Sequence, residues 1–348
     1  MFETVSTTEL SFNLGDEIGH DGKNSKVYRA TDLQLNAEIV VKQVPKSDFS
    51  DLAEYFTEAR LLHQSSHPNV VPIYYGCQDD DHIYISMPYF KNGSLKNRLG
   101  QGPLTVREIV VFATQILSGL HNIHSKGLIH FDLKPDNILF SDRGEPLIAD
   151  FGLAKMKSYS GYAGQDRLYG KMVPPESFST DNFNNQFDLY QIGLTIHRMC
   201  VGDVAFYNEY NRFVDSGVLD RAGFRHAVVN GQFPSTQQYP ENITQKLIDI
   251  VRKCLSRNLG NRYGSAIQIV NALSEIDGNL LDWKMDLVNN ETRWAKTDEK
   301  GREFLLILSS DGSSLATKTS AAGNTQRIVK YCKGEIQRSE IKRFLREF

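Results

Sequence analysis

Residues 127–140, GLIHFDLKPDNILF, place a polar loop between two short apolar runs. Within it, Asp132 is followed two residues later by Lys134 and five residues later by Asn137. A phosphoryl-transfer site uses these residue types: a carboxylate that accepts the proton of the attacking hydroxyl, an ammonium that neutralises the moving phosphoryl group, and an amide that holds a metal ion. A polar β-turn is the alternative interpretation, but a turn does not require these types at these offsets. The stretch therefore predicts a catalytic loop.

A second polar group follows at a fixed distance. ADFGLAK, residues 149–155, comes directly after the apolar run PLIA and places Asp150 thirteen residues after Asn137. A carboxylate at a strand end is suited to bind Mg²⁺ together with the Asn137 amide, and Gly152 gives the backbone freedom to move. A DFG triplet also occurs by chance, but its spacing from the catalytic loop favours a metal ligand.

The first part of the chain offers a phosphate-binding surface. The turn EIGHDGKNSKVYRA, residues 17–30, contains Gly19 and Gly22, which let the backbone approach phosphates. Alone, this segment is more typical of a β-hairpin turn. Lys42 ends the apolar strand IVVK, and Glu58 lies on the helix predicted next. A Lys–Glu pair between strand and helix would direct the ammonium at nucleotide phosphates.

The secondary-structure pattern changes along the chain. The first ninety residues contain three β-branched or alternating runs, at 38–44, 69–76 and 82–90, and one helical pattern at 51–64 with Asp51 and Glu54 as a capping pair. After Gly93 the chain reads as helical. Thr105 and Glu108 form a capping box that begins a long helix, and further helices are predicted near 189–199 and 243–255.

Composition limits the class of protein. The chain has 348 residues, of which 40% are hydrophobic and 23% charged, with a formal net charge of -3. These values are ordinary for a globular protein and give no global attraction to nucleic acid or anionic membrane. The four cysteines are far apart, with no zinc-binding spacing. With no secretory signal pattern and no apolar run of membrane-spanning length, we expect a cytoplasmic protein without a membrane span.

Residues 280–348 form a third region. Both tryptophans (Trp283 and Trp294), strand-like runs at 304–309, 314–318 and 326–331, and an apolar helical stripe at the end predict a small β-plus-helix domain. Basic residues outnumber acidic ones from Lys318 onward. One hypothesis is a surface for nucleic acid or an acidic partner, with aromatic side chains available for stacking. A solvated helix face over a small tryptophan core is favoured, and docking against the rest of the chain is a third alternative.

The ordered motifs resemble the eukaryotic-type (Hanks) serine/threonine protein kinase family over residues 10–277. The landmarks appear in the family's order: the glycine-rich loop at 18–27, Lys42, Glu58, HPN at 67–69, HFDLKPDN at 130–137, DFG at 150–152, PPE at 174–176, FDLYQIG at 187–193 and Arg262. In this family Asp188 braces the catalytic loop, and Glu176 pairs with the arginine at the position of Arg262. The resemblance does not extend to residues 280–348.

The resemblance implies an α+β fold with two lobes: a β-rich N-lobe at 10–89 and a helical C-lobe at 90–277, followed by the small C-terminal domain at 280–348. It implies ATP and Mg²⁺ as cofactors, a protein substrate, autophosphorylation, catalytic roles for Asp132, Lys134 and Asn137, and metal binding by Asn137 and Asp150. The expected nucleotide-binding residues are Ile18, Gly19, Gly22, Val27, Val40, Lys42, Glu58, Met87, Pro88, Tyr89, Phe90 and Leu139. Met87 would be the gatekeeper, and residues 88–90 the hinge that meets the adenine.

Two departures from the family pattern leave alternatives open. Phe131 replaces the arginine that pairs with a phosphorylated activation segment, so activation is expected not to depend on that contact. DLKPDN resembles serine/threonine kinases, whereas Lys171 and Ser177 stand as in tyrosine kinases, so tyrosine or dual specificity stays an alternative. A pseudokinase or ATP-binding scaffold is a further alternative, although such proteins usually lose the residues at Lys42, Asp132 or Asp150. A small-molecule kinase is disfavoured by the PPE, Asp188 and Arg262 set.

Overall fold

The computed structural model describes residues 9–19, 25–48, 56–165 and 170–348. The Asp51–Glu54 capping pair and residues 20–24 of the glycine-rich loop, Gly22 among them, lie outside these residues.

The N-lobe is built on one antiparallel sheet with the order β1-β2-β3-β5-β4. Its strands and helix α1 have these bounds: β1 (Phe12–Gly19), β2 (Lys26–Asp32), β3 (Ala37–Pro45), α1 (Thr57–Gln64), β4 (Tyr75–Gln78) and β5 (His82–Pro88). The predictions for 38–44 and 82–90 are confirmed. The strand predicted at 69–76 is wrong over most of its length: Val70 makes only an isolated bridge to Ile148, and Pro72 has no N–H to donate to a ladder.

The C-lobe is mainly helical. Its helices are α2 (Leu95–Gly100), α3 (Val106–Ser125), α4 (Gln186–Val201), α5 (Asp203–Tyr210), α6 (Arg221–Val229), α7 (Gln245–Cys254) and α8 (Ala266–Ser274). Short strands join them: β6 (Leu128–Ile129), β7 (Ile138–Phe140), β8 (Pro146–Ile148), β9 (Lys155–Met156), β10 (Ala163–Gly164), β11 (Asn182–Phe183), β12 (Val214–Asp215) and β13 (Val218–Leu219).

The predicted capping box begins α3. The side chain of Thr105 accepts the Glu108 N–H, and the Glu108 side chain accepts the Thr105 N–H. The apolar face of α3 then lies in the main core, and its last turn leads into the catalytic loop. The register of this helix therefore sets where the loop begins.

The C-terminal domain, residues 280–348, is an antiparallel meander closed by one helix. Its elements are β14 (Lys284–Val288), β15 (Glu291–Thr297), β16 (Glu303–Leu308), β17 (Ser314–Thr319), β18 (Thr325–Arg327) and α9 (Arg338–Glu347). The sequence predicted three strands, and β14 and β15 were missed. The turn that joins them, Asn289–Asn290, has positive φ at both residues (51° and 62°), the conformation of a type I′ hairpin.

Both tryptophans lie inside this domain. Trp283 and Trp294 are fully buried with Phe304, Tyr331 and Phe344 in one apolar cluster. The hypothesis that these aromatic rings are available for stacking on nucleic acid is therefore wrong, and the prediction of a tryptophan core is confirmed.

Among the described residues, two ion pairs join the C-terminal domain to the C-lobe. The Arg107 guanidinium makes a bidentate pair with Asp282 (2.5 and 3.0 Å). Arg338, the first residue of α9, donates to the Tyr239 carbonyl and pairs with Glu241 at 2.7 Å. Among the helices of the described ranges, none has the length and apolar character needed to cross a membrane.

Candidate active site

The three predicted catalytic side chains meet in the loop between β6 and β7. One carboxylate oxygen of buried Asp132 accepts from the Lys134 ammonium at 2.9 Å and from the Asn137 amide at 2.7 Å. The same amide also donates to the Asp132 carbonyl at 2.9 Å. Burial lowers the pKa of Lys134, but the neighbouring Asp132 carboxylate outweighs burial and leaves that pKa raised. Lys134 is therefore a permanent cation beside the proposed base.

Helix α4 fixes the backbone of this loop. Asp188, fully buried, accepts the N–H groups of His130 and Phe131, both at 2.9 Å. Its carboxylate is also 2.8 Å from His124 Nε2 at the end of α3. The bracing of the loop by Asp188 that the resemblance implied is present in the structure.

Gln191 is a second brace, and the sequence did not identify it. Its Oε1 accepts the Leu133 N–H and its Nε2 donates to the Phe131 carbonyl, both at 2.9 Å. The side chain is buried, one turn of α4 beyond Asp188. A glutamine three residues after the bracing aspartate in an otherwise apolar stretch is the signal that could have revealed it.

Phe131 occupies an unusual backbone conformation. Its φ is +67°, and its side chain is buried in a small cluster with Ile129, Ala163, Phe183 and Phe187. A bulky residue with positive φ carries a strain of about 1–3 kcal/mol and persists only where the surroundings hold it. The braces from α4 supply that support on the backbone side.

The side of the site that is expected to bind phosphate contains a partly buried charge cluster. Lys42 on β3 donates to both Glu58 oxygens (2.7 and 2.9 Å) and to Asp150 Oδ1 (2.9 Å). Burial opposes the charge on Lys42, but Asp150 and Glu58 outweigh it and raise the lysine pKa. The Lys42 ammonium lowers the pKa of Asp150 to about 2, whereas burial raises that of Glu58.

Asp150 and Asn137 lie side by side. Strands β7 and β8 pair Ile138 with Ile148, and the Ala149 N–H donates to the Asn137 carbonyl at 2.9 Å. The Asp150 side chain remains 45% exposed. A carboxylate and an amide at a cleft are hard oxygen ligands, so this pair fits Mg²⁺, which takes one or two protein ligands and completes its shell with water and phosphate oxygens.

Position 152 has little space for a side chain. A Cβ there would lie 3.2 Å from Asp150 Oδ1, which is a tight contact, and 3.5 Å from Lys42 Nζ, which is an ordinary one. A larger residue would therefore press on the Asp150 carboxylate.

The expected adenine pocket is partly assembled. Met87, Phe90 and Leu139 pack against a buried cluster made by Val71, Leu147 and Ala149. Across the N-lobe sheet, Val40 pairs with Met87, Val27 pairs with Lys42, and Gly19 pairs with Val27. Pro88 ends β5, and the Arg29 guanidinium lies 5.0 Å from the Tyr89 ring centroid. Ile18 on β1 is 42% exposed, and Gly22 lies outside the described residues.

The PPE segment is tied to the C-lobe core. Buried Arg262 makes a bidentate pair with Glu176 (2.7 and 3.0 Å) and donates to the carbonyls of Gln186 and Ser256. This pair, implied by the resemblance, connects the segment after the activation region to the start of α4.

Comparison with known proteins agrees with this geometry. The protein kinase domain family matches residues 12–273. The chain is 30% identical over 254 residues to the probable serine/threonine-protein kinase PknB of Lactococcus lactis, covering 71% of this chain and 39% of that protein. It is 27% identical over 252 residues to serine/threonine-protein kinase PrkC of Bacillus subtilis (70% and 37%) and 25% identical over 252 residues to PknL of Mycobacterium tuberculosis (71% and 61%).

The chain thus spans between 37% and 61% of the length of these three relatives. The match includes the Lys42 cluster, the catalytic loop, the DFG segment and the Glu176–Arg262 pair, all within residues 12–273. The chain belongs to the protein kinase family.

Proposed function

We propose that residues 10–277 are a catalytic domain that transfers the γ-phosphoryl group of ATP to serine or threonine hydroxyls of proteins, with Mg²⁺ as the metal. The observation that carries the proposal is the convergence of Asp132, Lys134 and Asn137 with Asp150 and Lys42 at the junction of two lobes. The names of these relatives support the serine/threonine class.

Each side chain has a distinct task in this proposal. Asp132 orients the substrate hydroxyl and accepts its proton, and Lys134, bonded to Asp132, steadies the negative charge on the moving group. Lys42, oriented by Glu58, holds the nucleotide phosphates, while Asn137 and Asp150 hold the metal. Bound ATP with Mg²⁺ supplies the transferable group and the charge that neutralises it. The apolar members of the expected nucleotide-binding set, among them Ile18, Val40 and Leu139, enclose the adenine and exclude water.

The test is phosphoryl transfer from labelled ATP with Mg²⁺, to the protein itself and to a general serine/threonine substrate, for the wild type beside Asp132→Asn. We expect a loss of about 10²–10⁴-fold, with nucleotide binding retained, because the variant removes the general base and keeps the Lys42 cluster. Asp142→Asn, in the exposed turn after β7, is the matched control and should keep full activity. Equal activity of wild type and Asp132→Asn would contradict the proposal. ATP binding without transfer in the wild type would favour the scaffold alternative.

We propose that autophosphorylation occurs and that activation does not use a phosphate–arginine contact at the catalytic loop. Phe131 occupies the arginine position and is buried among apolar side chains, where it cannot bind a phosphate. Phosphatase treatment is therefore expected to leave activity unchanged, and a complete loss would contradict this. Analysis of the labelled residues decides between serine, threonine and tyrosine.

For the C-terminal domain we propose binding to an acidic partner. We also propose that the protein acts in the cytoplasm. Arg343 and Arg346 are exposed on α9, and the buried tryptophans leave electrostatic contact as the recognition mode. Binding of a single-stranded oligonucleotide that weakens with salt and with Arg343→Ala/Arg346→Ala would support it; no binding at low salt would overturn it.

A further inference from the structure

The catalytic loop has an apolar underside that the kinase motifs do not describe. Phe131, Phe183 and Phe187 meet edge to face, with ring centroids 4.9 Å apart for Phe131–Phe187 and Phe183–Phe187, and 5.9 Å apart for Phe131–Phe183. Edge-to-face packing at these distances is the favoured aromatic geometry. We call these three rings the phenylalanine triad.

The triad joins three parts of the chain that are separate in sequence. Phe131 belongs to the catalytic loop, Phe183 lies on β11 after the PPE segment, and Phe187 lies in the first turn of α4. Ile129, Ala163 and, in part, Leu153 complete the cluster. Leu153 and Ala163 belong to the activation segment, residues 150–176. The cluster is therefore a junction between the catalytic loop and the activation segment, apart from the main core.

Backbone pairing reinforces this junction. Ala163 and Gly164 on β10 pair with Phe183 and Asn182 on β11, and the Gln165 N–H donates to the Asp181 carbonyl at 2.9 Å. The activation segment is thereby bonded to the strand that carries a triad ring. None of these contacts includes a phosphate or a charged group.

The triad also bears on the geometry of Asp132. Phe131 directly precedes Asp132 and has positive φ, and its N–H and carbonyl are held by Asp188 and Gln191. With both ends of this residue held, its ring lies against Phe183 and Phe187. Removing a ring on that side leaves a void next to a strained residue, which allows the backbone ahead of Asp132 to relax.

The geometry points to Phe183 and Phe187 as positioning residues: through Phe131 they set the backbone that aims Asp132, and they hold the activation segment in place around Leu153 and Ala163 without a phosphate. This inference rests on the proposed function and deepens it, because it names what replaces the absent arginine contact.

The test compares phosphatase-treated wild type with Phe183→Leu, Phe187→Leu and a matched control, Phe224→Leu. Phe224 is buried to a similar extent but belongs to a different cluster of the C-lobe. It meets three aromatic rings, Tyr210, Phe213 and Phe233, whereas Phe183 and Phe187 each meet two. Three quantities are measured: the melting temperature, kcat with the KM for ATP, and the rate of tryptic cleavage after Lys155 and Lys157 in the activation segment.

We expect all three variants to lower the melting temperature to a similar extent. Only Phe183→Leu and Phe187→Leu should reduce kcat, by about ten- to a hundred-fold, because a small displacement of a catalytic group is enough for such losses. The KM for ATP should stay within about two-fold, since Lys42 and Glu58 are not touched. Tryptic cleavage of the activation segment should accelerate in these two variants alone.

Equal kcat and equal cleavage for Phe183→Leu and Phe224→Leu would overturn the inference and leave the triad as ordinary core. If the wild type itself has no activity, the proposed function fails, while the cleavage rates still decide whether the triad holds the activation segment. The inference would also be overturned if phosphatase treatment of the wild type itself produced fast cleavage and a low kcat that the untreated wild type does not show.

Discussion

The kinase domain and the C-terminal domain use charge in opposite ways. In the kinase domain, charged side chains are buried at the site and under it, among them Lys42, Asp132, Asp188 and Arg262. In residues 280–348, all of which the structure describes, every buried side chain is apolar or aromatic, and the ion pairs, such as Lys333–Glu340, are at the surface.

This difference distinguishes buried residues that only stabilise a fold from buried residues that also serve a reaction. Burying charge is expensive, and a well-packed apolar core of the same volume is usually at least as stable. The C-terminal domain shows that this chain can build such a core from tryptophan and phenylalanine. We infer that the buried charges at the cleft, such as Lys42 and Asp132, are retained for chemistry, whereas Asp188 and Arg262 hold the segments around the cleft in place.

The prediction with the largest expected effect tests this difference by removing one cation from each domain. Lys42→Met leaves Glu58 and Asp150 facing each other without their shared ammonium. We expect phosphoryl transfer to fall by about 10²–10³-fold, as for other preorganised electrostatic groups. We expect a stability loss of about 3 kcal/mol, at the low end for a broken buried pair because Asp150 is 45% exposed.

The counterpart is Lys333→Met, whose pair with Glu340 has side chains 38% and 21% exposed. Surface pairs contribute at most about 1 kcal/mol, so this variant should be close to wild type in both stability and activity. Denaturant unfolding and transfer assays measure both. Equal losses in the two variants would remove the distinction between functional and structural charge.

The second prediction tests whether the apolar core of the C-terminal domain stands apart from catalysis. The fully buried Phe344 ring contacts the rings of Trp283, Tyr331 and Phe348. Phe344→Ala should destabilise this domain by about 3–5 kcal/mol. Because both tryptophans of the chain are here, tryptophan emission reports this unfolding alone. Activity should be unchanged, as for the exposed control Arg343→Ala; a parallel loss of activity would show that the kinase domain depends on this core.

The third prediction uses pH. All nine histidines precede residue 280, and burial lowers the pKa of His130 and lowers that of His197 to about 4. A buried neutral histidine binds fewer protons folded than unfolded between about pH 4 and pH 6.5, so its stabilisation is complete above about pH 6.5 and is lost toward about pH 4. His197 alone contributes up to about 3 kcal/mol to this loss.

The C-terminal domain should not respond in that range. Arg302 lowers the pKa of Asp298 to about 2, so the stabilisation from this carboxylate is lost only below about pH 4. Denaturant unfolding at about pH 7 and about pH 5, followed by tryptophan emission and by circular dichroism, separates the two domains. His197→Gln, which stays neutral, should flatten the response of the kinase domain. An equal acid response of the tryptophan signal would contradict the assignment.

The polar half of the site was predictable from the sequence because its chemistry requires particular residue types at particular spacings. Asp132, Lys134, Asn137 and Asp150 could be found from their offsets, and the structure brings them together. Gln191 was missed because its amide braces a loop 60 residues away in the chain, and the only local signal was its place three residues after Asp188.

The apolar half was not predictable for a different reason. Phe183 and Phe187 look like any core residues in the sequence, and only the tertiary fold places them against Phe131. Strands β14 and β15 were missed because they have no clear alternating pattern. Met285 and Trp294 are their main apolar residues facing the core, and the remaining signal was the Asn289–Asn290 turn.

The smallest expected effect concerns the contact between the two domains. The Arg107–Asp282 pair has side chains 58% and 42% exposed, so Arg107→Ala should change stability by only about 0.2–1 kcal/mol. The Arg107 N–H also donates to the Leu281 carbonyl, and this backbone bond survives the substitution. A double-mutant cycle with Asp282→Ala, followed by tryptophan emission and phosphoryl transfer, measures the coupling directly. Arg107 lies in the first turn of α3, and the last turn of this helix leads into the catalytic loop. A coupling energy of several kcal/mol, or a change in kcat, would therefore mean that the charge-free core of the C-terminal domain and the charged site of the kinase domain act as one unit.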